Sequence, residues 1–227
     1  MKWNSRQILV LVAAVVVIAA GAIFFITRSG QSTVDLGAGG NGTGAPPAGP
    51  SKAELMVAGP LGDMSEGDAN APNYVIEYAS MTCSHCANFH NTVYRDFKTK
   101  YVDTGKVYYI FREYPLDPLA TSAAMLVRCG PKERAFPLLD LLFDNQNSWA
   151  FVQDPKTALI NLVKQAGISE SDFNTCLTNQ SILDGVNAVK DRAFKQFGVD
   201  ATPAFFINGV EHPGEQTLEE LDKILGG

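Results

Sequence analysis

The chain has 227 residues, of which 46% are hydrophobic and 19% are charged, and its formal net charge is −6 at pH 7. This length and composition suit one globular domain with a sizeable core, together with an appendage. A negative net charge without a basic block gives no support to nucleic-acid binding, so we expect no nucleic-acid partner.

The first predicted element is an uncharged apolar run over residues 8–26, preceded by Lys2 and Arg6. As a helix this run would be about 28 Å long, which matches the hydrocarbon core of a bilayer. Two interpretations are open: a retained transmembrane anchor, or a signal peptide cleaved at the small residues 20–22. We favour the anchor, because residues 24–26 extend the apolar run beyond that cleavage site. The positive residues before the run predict that the rest of the chain lies outside the cytoplasm.

A stretch rich in glycine and proline follows over residues 37–50. Its composition is typical of a flexible linker, because such a segment cannot bury a core. We therefore predict three parts: a transmembrane anchor or signal segment at 1–28, a flexible linker at 29–58 and a catalytic domain at 59–227.

The domain is predicted to begin with an apolar strand over residues 74–79, followed by a helix that opens with Cys83 and Cys86. The unpaired N–H groups and the positive dipole at a helix N-terminus would stabilise a thiolate at Cys83. Cys86, one turn further on, is placed to resolve a mixed disulfide. His85 could add a positive charge or a donor to the thiolate and make the disulfide a stronger oxidant. His90 is expected to be a packed or surface histidine rather than a ligand.

A second strand is predicted over residues 106–111, and apolar residues then recur at helical spacing from about 117 to 198. A third strand at 204–207 leads into the turn residues Asn208-Gly209, which predict a hairpin. Thr217 opens a last helix with a capping box. The predicted order is strand, helix, strand, helical insertion, hairpin and helix, an α/β arrangement.

The helical insertion contains the other two cysteines, Cys129 and Cys176, with no neighbouring His or Cys to complete a metal site. An even cysteine count in a domain that we expect to be exported favours a structural disulfide between them. Two buried thiols are the alternative. We expect no metal and no cofactor.

Thr82-Cys83-Ser84-His85-Cys86 after one strand and Thr202-Pro203 before another resemble the DsbA-like branch of the thioredoxin-fold proteins. The resemblance covers about residues 60–225 and implies a thioredoxin fold with an inserted helical subdomain. It implies that Pro203 is cis and packs beside the two cysteines. It also implies that the backbone of Thr202 binds a client peptide by strand addition.

The resemblance gives a role to Glu77, which stands six residues before Cys83 in the predicted strand. In this family a buried acid at that place helps to move the proton of the second cysteine, here Cys86. Ser84, which we place among the substrate-contacting residues, stands where many oxidants of the branch have proline. This departure bears on the oxidising potential rather than on the exchange chemistry.

Together these features predict an exported thiol:disulfide oxidoreductase that donates its Cys83–Cys86 disulfide to folding proteins. We expect it in the bacterial periplasm, tethered to the inner membrane by residues 8–26, or soluble there if that segment is cleaved. The family implies a membrane redox partner that reoxidises it. Two alternatives stay open: a disulfide isomerase or reductase on the same fold, and a soft-metal protein that binds copper through residues 81–86.

Overall fold

The computed structural model describes residues 49–226. The predicted membrane segment at 8–26 and most of the predicted linker lie outside the described residues. Within residues 49–226, no helix combines the length and the apolar character needed to cross a membrane.

Within residues 49–226, five strands form one sheet in the order β1-β3-β2-β4-β5. Strands β2 and β3 are parallel, whereas the β1–β3, β2–β4 and β4–β5 pairs are antiparallel. The predicted strands at 74–79, 106–111 and 204–207 are all present, and β1 adds an edge to the sheet. The strands are β1 (Met64–Glu66), β2 (Asn73–Ala79), β3 (Val107–Glu113), β4 (Ala204–Ile207) and β5 (Val210–Pro213).

Helix α1 (Lys52–Leu55) precedes the sheet, and the helical stretch α2 (84–102) connects β2 to β3. Helix α2 is not regular, because π-helical turns at His90–Tyr94 and Lys98–Val102 interrupt its α-helical segments. A π turn lengthens the hydrogen-bond ring to i→i+5 and so changes which side chains face the sheet.

The insertion between β3 and β4 is helical, as the apolar spacing predicts. Three of its helices begin at the side-chain caps Asp117, Asp154 and Ser169, which accept from otherwise unpaired backbone N–H groups. A disulfide between Cys129 and Cys176 joins the helix at Pro118–Cys129 to the helix at Glu170–Leu177, with an S–S distance of 1.99 Å. The helices are α3 (Pro118–Cys129), a 3-10 turn (Lys132–Arg134), α4 (Ala135–Asp144), α5 (Gln146–Trp149), α6 (Pro155–Gln165), α7 (Glu170–Leu177) and α8 (Gln180–Phe197); α9 (Leu218–Leu225) follows β5.

The three central strands, β2, β3 and β4, are buried on both faces. Alternate side chains of β2 enter two hydrophobic clusters, with Val75 in the cluster that contains α2 residues and Ile76 in the cluster that contains α8 residues. Because successive side chains of a strand point to opposite faces, Glu77 lies on the α2 face with Val75. Burial on both faces explains why β2 is an almost continuous apolar run, and it places the carboxyl group of Glu77 inside the core.

The last part of the predicted linker packs against the domain. Ser51 forms a capping box at the start of α1, and Leu55 is fully buried. Nη2 of Arg112 donates to the carbonyl oxygen of Val57 at 3.2 Å. The predicted linker at 29–58 therefore extends too far. Helix α1 could not be recognised in the sequence, because a helix of four residues is too short to produce a hydrophobic period.

Candidate active site

The two cysteines of the CxxC motif lie where β2 ends and α2 begins. Cys83 is the N-cap of α2, with an extended backbone (φ −80°, ψ 120°), and Cys86 lies in the first turn. Both are free thiols, so the structure shows the dithiol form of the site. The N-cap position directs the unpaired N–H groups of the first turn towards the sulfur of Cys83.

The pKa of Cys83 is lowered to about 5. The largest cause is a hydrogen bond from the thiol of Cys86; burial acts in the opposite direction, and the backbone N–H groups of Cys86 and His85 lower the pKa further. Cys83 is also the more exposed of the two cysteines, at 9% against 0% for Cys86. At neutral pH Cys83 is therefore a thiolate, the form that attacks disulfides.

Cys86 has the opposite environment. Its pKa is raised well above the usual value, chiefly by burial and then by the hydrogen bond to Cys83 and the negative charges of Cys83 and Glu77. The buried thiol keeps its proton while its neighbour is ionised. The two sulfurs are thus prepared for different steps of an exchange reaction.

The segment Thr202-Pro203 completes the site from the start of β4. The peptide bond between these residues is cis, and Pro203 is buried. Sγ of Cys83 lies 3.2 Å from the carbonyl oxygen of Thr202. The fold thus brings into contact the two segments that the sequence singles out, 119 residues apart.

His85 and Ser84 lie on the exposed start of α2. The His85 side chain is 73% exposed, and its Nδ1 lies 3.3 Å from Oε2 of Glu215, whose Oε1 accepts from Nδ2 of Asn88. The prediction that His85 adds a positive charge or a hydrogen-bond donor to the thiolate stays a prediction for the ring, which lies beside Glu215; the backbone N–H of His85 lowers the pKa of Cys83. The reason is that N–H groups of a first turn point towards the N-cap, whereas side chains radiate away from the helix axis.

Glu77 is fully buried. Its Oε2 accepts hydrogen bonds from Nε2 of His90, at 3.2 Å, and from the hydroxyl group of Tyr109. Its negative charge contributes to the raised pKa of Cys86. The carboxyl group is therefore close enough to the second cysteine to act on its proton electrostatically.

Three residues of the site have little or no sequence signal. His90 is buried, although the sequence suggests only a packed or surface histidine, and its spacing of four residues from Cys86 is the one available sign of a shared helix face. Tyr109 is one of several aromatic residues in a strand. The side chain of Gln146 donates to two backbone carbonyls, and such contacts leave no pattern in a sequence.

Gln146 connects the helical insertion to the CxxC loop. It is 4% exposed, and its Nε2 donates to the carbonyl oxygens of Met81 and Cys83, both at 2.9 Å. A buried carbonyl without a donor is costly, so this amide fixes the loop at the point where α2 begins.

Replacing Gln146 with leucine is expected to lower the free energy of unfolding by about 1–3 kcal/mol, because the buried carbonyls lose their shared donor. Urea unfolding of the reduced protein measures this loss. Gln153→Leu is the matched control, since Gln153 is exposed and its replacement should change stability by less than about 0.5 kcal/mol. Equal losses in the two variants would show that Gln146 does not support the loop.

This geometry is suited to thiol–disulfide exchange. An accessible thiolate at Cys83 can attack or be attacked, and the buried thiol of Cys86 one turn away can displace whatever is bound to it. Fold and site therefore define a thiol–disulfide exchange protein of thioredoxin type.

Comparison with known proteins gives the same class. The family model described as thioredoxin matches residues 61–226. A Rickettsia conorii protein, provisionally named a protein-disulfide oxidoreductase, is 33% identical over 164 residues, which cover 72% of this chain and 59% of that protein. The crystal structure of α-DsbA1 from Wolbachia pipientis matches with a TM-score of 0.70 and 35% identity, covering 76% of this chain and 93% of that one. The chain belongs to the thioredoxin family and, within it, to the DsbA-like thiol:disulfide oxidoreductases.

These matches confirm the predicted class and the thioredoxin-like α/β fold with a helical insertion. The chain spans 59% of the length of the Rickettsia relative. The direction of exchange, the clients and the redox partner of this protein are therefore matters for proposal.

Proposed function

We propose that this protein is an exported oxidoreductase that donates its Cys83–Cys86 disulfide to proteins folding outside the cytoplasm. The observation that carries the proposal is the contrast between the two thiols, with a pKa of about 5 at Cys83 and a strongly raised pKa at Cys86. A stabilised thiolate favours the dithiol form, and a protein whose dithiol is favoured gives its disulfide away. Membership of the DsbA-like family supports the same direction.

Donation takes two exchanges. A client thiolate attacks Sγ of Cys83, the Cys83–Cys86 bond breaks, and its electron pair goes to Cys86, which takes up a proton. A second client thiolate then attacks the client sulfur of the mixed disulfide, so that the client disulfide forms and Cys83 leaves as a thiolate. The client loses two electrons and this protein gains them. A low pKa makes Cys83 a good leaving group, which favours the second exchange.

The client is expected to bind beside Thr202 and the start of α2. The carbonyl oxygen of Thr202 lies 3.2 Å from Sγ of Cys83, so it is placed to accept from a backbone N–H of a client that is bound to this sulfur. Ser84 is exposed next to the reactive sulfur. The backbone N–H of Leu116 donates to Oγ of Ser80 in the CxxC loop, so Leu116 lies beside the site. Its side chain is 49% exposed and offers an apolar contact to an unfolded chain.

We place the reaction in the periplasm, with residues 8–26 as a tether to the inner membrane. The uncharged run after Lys2 and Arg6 supports this topology. The Cys129–Cys176 disulfide supports an oxidising compartment, where structural disulfides persist. Each donation leaves the dithiol behind, so a membrane redox partner must withdraw two electrons per cycle.

The full-length Cys86→Ala variant tests the proposal, because its Cys83 thiolate can attack the disulfide of an oxidised client, releasing one client thiolate, and no second internal thiol then displaces the bound client. Expressed in a bacterium with a periplasm, it is expected to accumulate disulfide-linked adducts with exported proteins. Acid trapping followed by non-reducing electrophoresis and mass spectrometry detects them. Cys83→Ala is the control and should give none. Absence of adducts, or adducts with cytoplasmic proteins alone, would contradict the proposal.

A further inference from the structure

His90 has a position for which the exchange reaction above gives no role. It is 3% exposed, lies four residues after Cys86, and stands at the start of the first π turn of α2. Such turns interrupt the regular hydrogen bonding of a helix and are frequent at functional sites. The ring stacks on Phe143, with centroids 4.3 Å apart. Stacking alone would be served by phenylalanine, so the two ring nitrogens need an explanation.

Within the described part of the chain, Glu77 accepts hydrogen bonds through one of its two oxygens. Oε2 accepts from Nε2 of His90 and from the hydroxyl group of Tyr109, whereas Oε1 is buried and has no hydrogen-bond partner among residues 49–226. A carboxylate oxygen only accepts, so the hydrogen lies on Nε2 of His90. Nδ1 on the other edge of the ring is buried without a partner in the same part of the chain. Two donors from different elements thus fix Oε2 and leave Oε1 as the open acceptor.

The groups around the His90 ring are mostly acidic. Burial raises the pKa of Asp140. Among residues 49–226, no Lys or Arg forms an ion pair with Glu77, so its carboxylate is held by the hydrogen bonds from His90 and Tyr109. The titratable neighbours are Glu77 on β2, Tyr109 on β3, Tyr94 on α2, Asp140 on α4 and, through the hydroxyl group of Tyr94, Glu66 on β1.

We propose that His90 is a positioning residue: its Nε2–H, together with the Tyr109 hydroxyl, turns the Glu77 carboxylate so that Oε1 exchanges the proton of Cys86. This inference rests on the proposed function. In the resolving step the proton moves from Sγ of Cys86 to Oε1 of Glu77. The Cys86 thiolate attacks Sγ of Cys83, the bond from Cys83 to the partner sulfur breaks, and the electron pair leaves on that sulfur. His90 keeps its hydrogen throughout.

Two substitutions of His90 separate a donor role from a packing role. His90→Phe keeps a ring against Phe143 but removes the donor, whereas His90→Gln keeps an N–H but removes the ring. If His90 positions Glu77, the resolving step should be faster in His90→Gln than in His90→Phe. If the His90 ring only packs, the order of the two rates should be reversed. Tyr109→Phe removes the second donor by the loss of one hydroxyl group and should also slow the resolving step.

The test follows the full-length reduced protein in detergent after mixing with oxidised glutathione, with acid quenching. The second phase gives the rate at which Cys86 resolves the Cys83–glutathione disulfide. We expect His90→Phe to be slower than wild type by about tenfold or more, and His90→Gln to be within about threefold. Glu77→Gln should be slow, and adding His90→Phe to it should change nothing further, because no carboxylate remains to be positioned.

Three results would overturn the inference: a His90→Phe rate equal to wild type, a His90→Phe rate above that of His90→Gln, or the same slowing by His90→Phe in the Glu77→Gln background. The first phase reports on the proposed function separately, because attack of Cys83 on glutathione disulfide does not use the proton of Cys86. A wild-type protein without a first phase would contradict the proposed function itself.

Discussion

Alkylation of Cys83 in the reduced protein is expected to follow the titration of a group with a pKa of about 5. The thiolate reacts with iodoacetamide and the thiol does not. Since the pKa is lowered from 9.0, the thiolate persists as the pH falls below 9 and is lost only as the pH passes through about 5. Mass spectrometry of the Cys83 adduct as a function of pH measures this profile. A rate already halved near pH 9 would contradict the site described above.

Two variants locate the cause of the low pKa. Cys86→Ala is expected to move the alkylation profile to higher pH, because the hydrogen bond from Cys86 is the largest cause of the lowered pKa of Cys83. His85→Ala should move it less, because the backbone N–H remains and the lost ring faces Glu215. A larger shift in His85→Ala than in Cys86→Ala would show that the ring, and not the backbone, supports the thiolate.

Removing the second disulfide by Cys129→Ala together with Cys176→Ala is expected to lower the free energy of unfolding by about 4 kcal/mol. The cross-link joins residues 47 apart in sequence, and closing so long a loop restricts the unfolded chain. Urea unfolding measures the change. The comparison is made in a background with Cys83→Ala and Cys86→Ala, so that the state of the redox pair does not contribute.

Alkylation of the unreduced protein before intact-mass measurement provides the matching chemical check. No label is expected at Cys129 or Cys176. Two labels at these positions, or a stability loss no larger than that of Gln146→Leu, would contradict a structural disulfide.

The order of elements could be predicted from the sequence because its signals are local. The apolar run of β2, the capping boxes at Ser169 and Thr217 and the Asn208-Gly209 turn each depend on a few neighbouring residues. The position of Cys83 at a helix N-terminus follows from the same local reading. The relation between the two halves of the site came from the family resemblance rather than from periodicity.

The finer geometry of the site could not be predicted, because it depends on partners far away in the chain. His85 turns to Glu215, 130 residues on, and Gln146 reaches back 63 residues to the carbonyl oxygen of Cys83. His90 meets Glu77 only because α2 packs on the face of β2 that carries this carboxyl group. Helix α1 is only four residues long, so it gives no hydrophobic period that would distinguish it from the linker composition around it.

The reduction potential of the Cys83–Cys86 pair, measured by equilibration with glutathione buffers, tests the central claim most directly. A thiolate stabilised at Cys83 makes the dithiol the favoured form, so we expect a value near that of strong oxidants of the DsbA type, about −120 mV. A value of about −270 mV, that of thioredoxin, would contradict disulfide donation. The reductase or isomerase alternative would then describe this protein, and its redox partner would supply electrons rather than withdraw them.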